Sequence, residues 1–184
     1  MRRTLLCTFA FAVFALPANA YTDAKSGLGI TPPTPFVVGV AQAPPADTQV
    51  MLAIKSSTGR PAGVDATGAV CVAVYKLLPQ NNPLTQDQLN TTVQNPDFIN
   101  LMKANLQLNY DVSAINVVEN GAVKGYEAIA TVKKGPMAGM VSGYLVTFET
   151  PKGRTGLSCH TPKAQFDAAL PQFKQIRESI QLPN

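Results

Sequence analysis

Chemistry in this chain would have to come from a small set of residues. The only histidine, His160, follows Cys159 directly. A Cys–His nucleophilic pair needs sulfur and imidazole within hydrogen-bond reach. These two fall in a strand-like run, where neighbours point to opposite faces, so the side chains are expected apart. His160 also stands two residues before Pro162, at a strand end, where a solvated histidine is ordinary. Met137 and Met140 resemble the paired thioethers of soft Cu(I) sites, and they sit in a Gly/Pro turn where both sulfurs could point outward. A copper site wants three or more soft ligands, and Met51 and Met102 lie far away in the chain. The same pair also reads as gap-filling side chains. No catalytic residue and no cofactor are assigned, and Met137 and Met140 stand as the metal candidates.

The carboxylates Asp111, Glu119, Glu127, Glu149, Asp167 and Glu178 form no acid/base constellation by spacing. Glu127 is the best placed to face a cleft, although a solvated face accounts for it as well. The stretch Gly135 to Gly139 lacks the lysine and the following helix of a phosphate loop, and no nucleophile elbow, H-E-x-x-H pair or C-x-x-C motif occurs. The expectation is a protein that is not an enzyme. Among the aromatics, Phe36, Tyr75, Tyr110, Tyr126 and Tyr144 could line a pocket or meet a partner, but most alternate within strand-like runs and should fill a core.

The elements that would hold these residues are clearest between Tyr110 and Leu182. Four strand-like runs cover Asp111 to Glu119, Ala122 to Lys134, Met140 to Glu149 and Arg154 to His160. Turn residues join them at Asn120-Gly121, Gly135-Pro136 and Pro151-Lys152-Gly153. Thr161-Pro162 then reads as an N-cap and first-turn proline. Phe166, Ala169, Leu170, Phe173, Ile176 and Ile180 recur at helical spacing, and Pro171 predicts a kink or two short helices.

Upstream, Tyr21 to Lys25 reads as a polar lead-in and Gly27 to Thr31 as a short first strand. Prolines flank Phe36 to Val40, which argues for an edge or coil segment. Gln49 to Lys55 and Ala69 to Leu77 are strand candidates, separated by a Gly-rich loop. After a turn over Leu78 to Asn82, Thr85 to Gln88 matches a capping box, and Asn95-Pro96 restarts a second helix with Phe98, Ile99, Leu101, Met102 and Leu106 as its stripe. Connections in the second half are too short for parallel crossovers, so the fold class is α+β with an antiparallel sheet covered by helices and closed by an amphipathic C-terminal helix.

Residues 1–20 read as a signal peptide: Arg2-Arg3, an apolar core from Leu5 to Leu16, and Ala18-Asn19-Ala20 as the cleavage site. The apolar core is too short to span a bilayer, and nothing later is apolar enough to do so. Residues 21–184 then form one domain, secreted, or periplasmic in a Gram-negative source. Cleavage removes two arginines from a formal charge of +4. No Lys/Arg cluster longer than Lys133-Lys134 remains, so nucleic acid is not an expected partner. In an oxidising compartment Cys71 and Cys159 are most simply one disulfide, the alternative being two separate buried thiols.

Three stretches resemble the PsbP-like superfamily, which includes photosystem accessory proteins, a Mog-type nuclear import factor and exported bacterial DcrB and LpqN proteins. Gly27-Leu-Gly-Ile-Thr-Pro32 is similar to its opening strand running into proline. Gly125-Tyr-Glu-Ala-Ile-Ala130 is similar to its glycine-led meander strand, and Phe173 to Leu182 resembles its closing helix. The tryptophan often found after the first proline is missing, with Phe36 in its neighbourhood. The resemblance implies an α-β-α sandwich that docks on other proteins, usually without catalysis, and it transfers no site residues. The expected function is an exported, non-enzymatic accessory domain whose partner is another exported or membrane protein. The alternative is a periplasmic carrier of a small apolar ligand or metal.

Overall fold

The structure, a computed structural model, describes residues 20–40, 45, 47–78 and 84–183. All but the last residue of the expected signal peptide lies outside that set, as does most of the turn expected over Leu78 to Asn82.

The apolar alternation read from the sequence becomes one antiparallel sheet of seven strands. In chain order these are β3 (Phe36–Val40), β4 (Val50–Ser56), β5 (Ala69–Leu77), β6 (Tyr110–Asn120), β7 (Val123–Val132), β8 (Val141–Thr150) and β9 (Gly153–Pro162). They stand in the order β3-β4-β5-β9-β8-β7-β6. The meander β6 to β9 is therefore one half of the sheet, and β5 adds to its last strand. The proline-flanked β3 is an edge strand, where a missing N–H costs least. Gly121, at φ +60°, makes the tight β6–β7 turn that a Cβ would strain.

Among the described residues three helices accompany the sheet: α1 (Gln86–Gln94), α2 (Pro96–Leu106) and α3 (Lys163–Glu178). The capping box at α1 forms as read, with the Thr85 hydroxyl accepting from the Gln88 backbone and the Gln88 side chain accepting from the Thr85 N–H. The Asn95 side chain caps α2 by accepting from the Asp97 N–H, with Pro96 in the first turn. Helix α3 packs on β8 and β9, and α1 packs on β7 and reaches β8, while α2 lies against β6. Alternation along β8 and β7 puts Tyr144 and Glu127 toward α3, and Tyr126 on the opposite face, where Phe98 of α2 meets its ring edge-on. The layers are α-β-α.

Four local expectations are corrected by tertiary pairing. Tyr21 and Thr22 are not a polar lead-in but a strand, β1, paired with β2 (Gly29–Ile30). Ile180 is not the last residue of the helical stripe; it opens β10 (Ile180–Gln181), which pairs with β2 on its other edge. Thr161-Pro162 is not a cap, because β9 runs through Pro162 and α3 starts without a side-chain cap. The Thr161 hydroxyl instead donates to the Ala62 carbonyl at 2.9 Å. Finally, α3 is a single helix with Pro171 inside it, where Phe166, Ala169, Phe173 and Ile176 bury one continuous face. That face, Ile30 and Ile180 of the small sheet β1-β2-β10 with the adjoining Leu28 and Leu182, and the inward residues of β3, β4, β5, β8 and β9 form the main core.

Candidate functional site

The one buried charged residue among those described, Glu127, lies under α3. Glu127 is 5% exposed and Tyr144 fully buried, and both reach the Arg177 guanidinium near the end of α3. The Tyr144 hydroxyl donates to Glu127 Oε2 at 2.5 Å, and Arg177 Nη1 donates to the same oxygen at 2.8 Å and to the phenol oxygen at 3.2 Å. Lys174, one turn earlier, stands 4.0 Å from the other carboxylate oxygen. Burial and the neighbouring carboxylate push the Tyr144 phenol far above its ordinary value, so it stays protonated. Glu127, read from the sequence as a solvated or cleft-facing carboxylate, is instead an interior ion-pair partner, because α3 brings a cation onto it. Both terminal nitrogens of Arg177 are bonded, Nη2 to Glu178, and the arrangement clamps α3 to β7 and β8.

Cys71 and Cys159 are cross-strand partners on β5 and β9 and form a disulfide, with Cα atoms 3.9 Å apart. Of the two possibilities left by the sequence, the bridge is the one present. It leaves no thiolate for His160, which points to the other face. There the imidazole stacks on Tyr110 with ring centroids 6.1 Å apart. Its Nε2 lies 3.4 Å from the Tyr110 hydroxyl and its Nδ1 3.3 Å from Ser158 Oγ. Gly143, opposite it on β8, makes room: a Cβ there would fall 2.8 Å from the ring. His160 is therefore partly buried rather than solvated, and burial pulls its pKa below the usual imidazole value. The sequence alone did not place Tyr110 over it.

Met137 and Met140 lie in the turn between β7 and β8, 37% and 57% exposed. Met51 is on β4 and Met102 on α2, so the four methionines among the described residues spread over three parts of the fold. Among the described residues no group of three or more His, Cys, Asp or Glu side chains could hold a metal ion. Phe36, Tyr75 and Tyr144 are core residues, whereas Tyr110 and Tyr126 are partly exposed on the other face.

That other face is unevenly covered. The contacts of α1 and α2 with the sheet fall mainly on β6, β7 and β8. On β4, β5 and β9 the outward residues form one cross-strand patch: Met51 opposite Val74, Ala53 opposite Val72, and Val72 opposite Ser158. Leu145 of β8 adjoins it beside Ser158. All of these are partly exposed. Helix α2 buries none of its residues, and Leu101 is 57% exposed. No helix among the described residues is long and apolar enough to cross a membrane. Two surface grooves are also present. One lies along α3 beside Arg60, Pro61, Gln165 and Gln172, and the other lies at the end of β5 beside Lys25, Gln49, Leu77 and Lys152.

The architecture is that of known structures. The chain is similar to the solution structure of cyanobacterial PsbP (CyanoP) from Synechocystis sp. PCC 6803, with a TM-score of 0.57 at 12% identity over 95% of this chain and 98% of that one. It is also similar to a crystal structure from Bacteroides thetaiotaomicron VPI-5482, with a TM-score of 0.50 at 8% identity, covering 92% of this chain and 50% of that one. No family model and no curated protein sequence matches it. The fold is PsbP-like, as the three sequence stretches implied.

Proposed function

We propose, from a PsbP-like fold with one sheet face left partly bare, that this chain is an exported, non-enzymatic accessory domain that binds another exported or membrane protein. The observation that carries the reading is the patch of Met51, Ala53, Val72, Val74 and Leu145, apolar side chains on the outward face of central strands. In a sheet covered on both faces such residues would be buried; partly exposed together, they form a surface that gains by meeting a partner. The disulfide between β5 and β9 supports export, since such bridges persist in oxidising compartments. Both grooves mix charged and polar side chains with apolar ones, so neither is the uniformly apolar pocket that a carrier of a small apolar ligand needs, which favours the docking reading.

The test compares tagged wild type with Val72→Lys/Val74→Glu, cross-linked in the native compartment and analysed by mass spectrometry. The substituted side chains point outward, so the variant is expected to keep the wild-type circular dichroism spectrum. Wild type should hold one stoichiometric protein that the folded variant loses. A partner retained by the variant, or no protein held by wild type, would sink the proposal. N-terminal sequencing of the same material should read Tyr21-Thr22-Asp23, and an uncleaved chain would contradict export through the signal peptide.

A further inference from the structure

Tyr75 is a buried side chain whose hydroxyl opens onto a surface groove and has no hydrogen-bond partner among the described residues. It lies on β5, is 1% exposed, and packs in the main core. Its ring tip lies over Gly153 at the start of β9, where a Cβ would fall 2.6 Å from the ring carbon that carries the hydroxyl. Among the described residues the hydroxyl has no hydrogen-bond partner, whereas the other fully buried tyrosine, Tyr144, is fully engaged. Among the described residues the one fully buried side-chain polar atom left without a partner is Thr155 Oγ1, so the Tyr75 hydroxyl is not sealed in the core but opens onto a groove, where a bound molecule can accept from it. Only glycine at position 153 lets the ring sit where it does.

The tip of Tyr75 lines the groove at the end of β5, a space of about 640 Å³ that falls in the range of small-ligand sites. Around it stand Lys25, Ser26, Gln49, Leu77, Leu78, Pro151 and Lys152. Among the described residues lining the groove the charged members are two lysines, and none is a carboxylate. Neither lysine forms an ion pair among the described residues. The nearby carboxylates are otherwise occupied: Asp23 accepts from the Ser26 N–H and hydroxyl, both at 2.7 Å, and Asp47 pairs with Lys76 at 2.6 Å. Ser26 and Gln49 are the other polar members, and Leu77, Leu78 and Pro151 form an apolar side, with Leu77 59% exposed. Burial raises the pKa of the Tyr75 phenol, which keeps it a donor.

We infer that this groove binds a small organic carboxylate, its anionic head between Lys25 and Lys152 and the Tyr75 hydroxyl, and its aliphatic part against Leu77, Leu78 and Pro151. A carboxylate supplies an acceptor for the phenol and a counter-charge for Lys152, while Lys25, whose charge already acts on Asp23, adds to the positive field of the groove. The apolar wall asks for more than an inorganic ion. The site lies at one end of β5, away from the proposed docking residues Val72 and Val74, and stands whether or not a protein docks there.

The test is titration of the ¹⁵N-labelled protein with hexanoate, followed by the backbone amide shifts of Ser26, Gln49, Leu77 and Lys152, with hexanamide and inorganic phosphate as comparison probes. Hexanoate should shift these amides saturably, and both comparison probes should bind at least roughly tenfold more weakly, one lacking the charge and the other the apolar part. Tyr75→Phe should weaken hexanoate roughly tenfold without lowering the unfolding midpoint, because the hydroxyl holds nothing within the protein. Lys25→Gln/Lys152→Gln, a surface change, should abolish the response. Equal binding of hexanamide or phosphate, no saturable shift, or unchanged affinity in folded Tyr75→Phe would overturn the assignment.

Discussion

Arg177→Met is the sharpest test of how the fold is held. The substitution keeps the aliphatic stem and removes the guanidinium, leaving Glu127 with a side chain 7% exposed and the Tyr144 hydroxyl as its only close donor. Breaking a buried pair by deleting one partner costs about 3–5 kcal/mol, because the remaining charge is left without compensation. Two features place this case at the low end. Arg177 is itself 14% exposed, and Lys174, 42% exposed and 4.0 Å from Glu127, can swing closer. About 3 kcal/mol is expected, read as a lower urea midpoint at unchanged slope in circular dichroism. Glu127→Met/Arg177→Met should lose less than Arg177→Met alone, because replacing both charges by apolar groups of similar volume is near neutral. Tyr144→Phe should cost about 1–2 kcal/mol, the value of a hydroxyl bonded to a charged pair. A loss below about 1 kcal/mol for Arg177→Met, or additive losses in the double variant, would refute the clamp.

Two further outcomes follow from the same geometry. Cys71→Ser/Cys159→Ser opens a loop with a sequence separation of 88 and should lower stability by about 4 kcal/mol, matched by wild type unfolded in reductant; equal urea midpoints with and without reductant would contradict it. His160 has a folded pKa pulled below its ordinary value of 6.5 by burial, so the unfolded chain binds its proton more readily. Its contribution is fully present above about pH 6.5 and is lost as pH falls through the lowered value. The difference in urea midpoint between wild type and His160→Gln should therefore shrink from pH 7.5 to pH 5, and a constant difference would remove burial as the cause.

The order of the sheet could not be read from the strands themselves. Period-two runs announced β4, β5 and β6 to β9, because alternation is a property of each segment alone. Placing β5 beside β9 was legible only through the two cysteines. The capping box at Thr85 and the Asn95-Pro96 restart were equally local: each asks only for donors within one turn, and both formed as read. Thr161-Pro162 carried the same kind of local signal and was overridden. There the cross-strand pairing of Pro162 with Val141 extends β9, and the threonine hydroxyl finds a carbonyl 99 residues away.

The sequence by itself determined an antiparallel α+β domain, the turns of its meander, the starts of α1 and α2, and the short supply of groups that could do chemistry. Only the tertiary structure decided which side chains share an environment. Glu127 reads like any strand carboxylate until α3 sets Arg177 against it, and Tyr21 reads as coil until Ile30 offers it an edge. Tyr75 looks like one more core aromatic until Gly153 lets its tip pass to a groove lined by Lys25 and Lys152. The physical reason is range. Propensity, capping and turn chemistry act over a few residues, whereas burial and charge pairing depend on what distant segments bring to the same place.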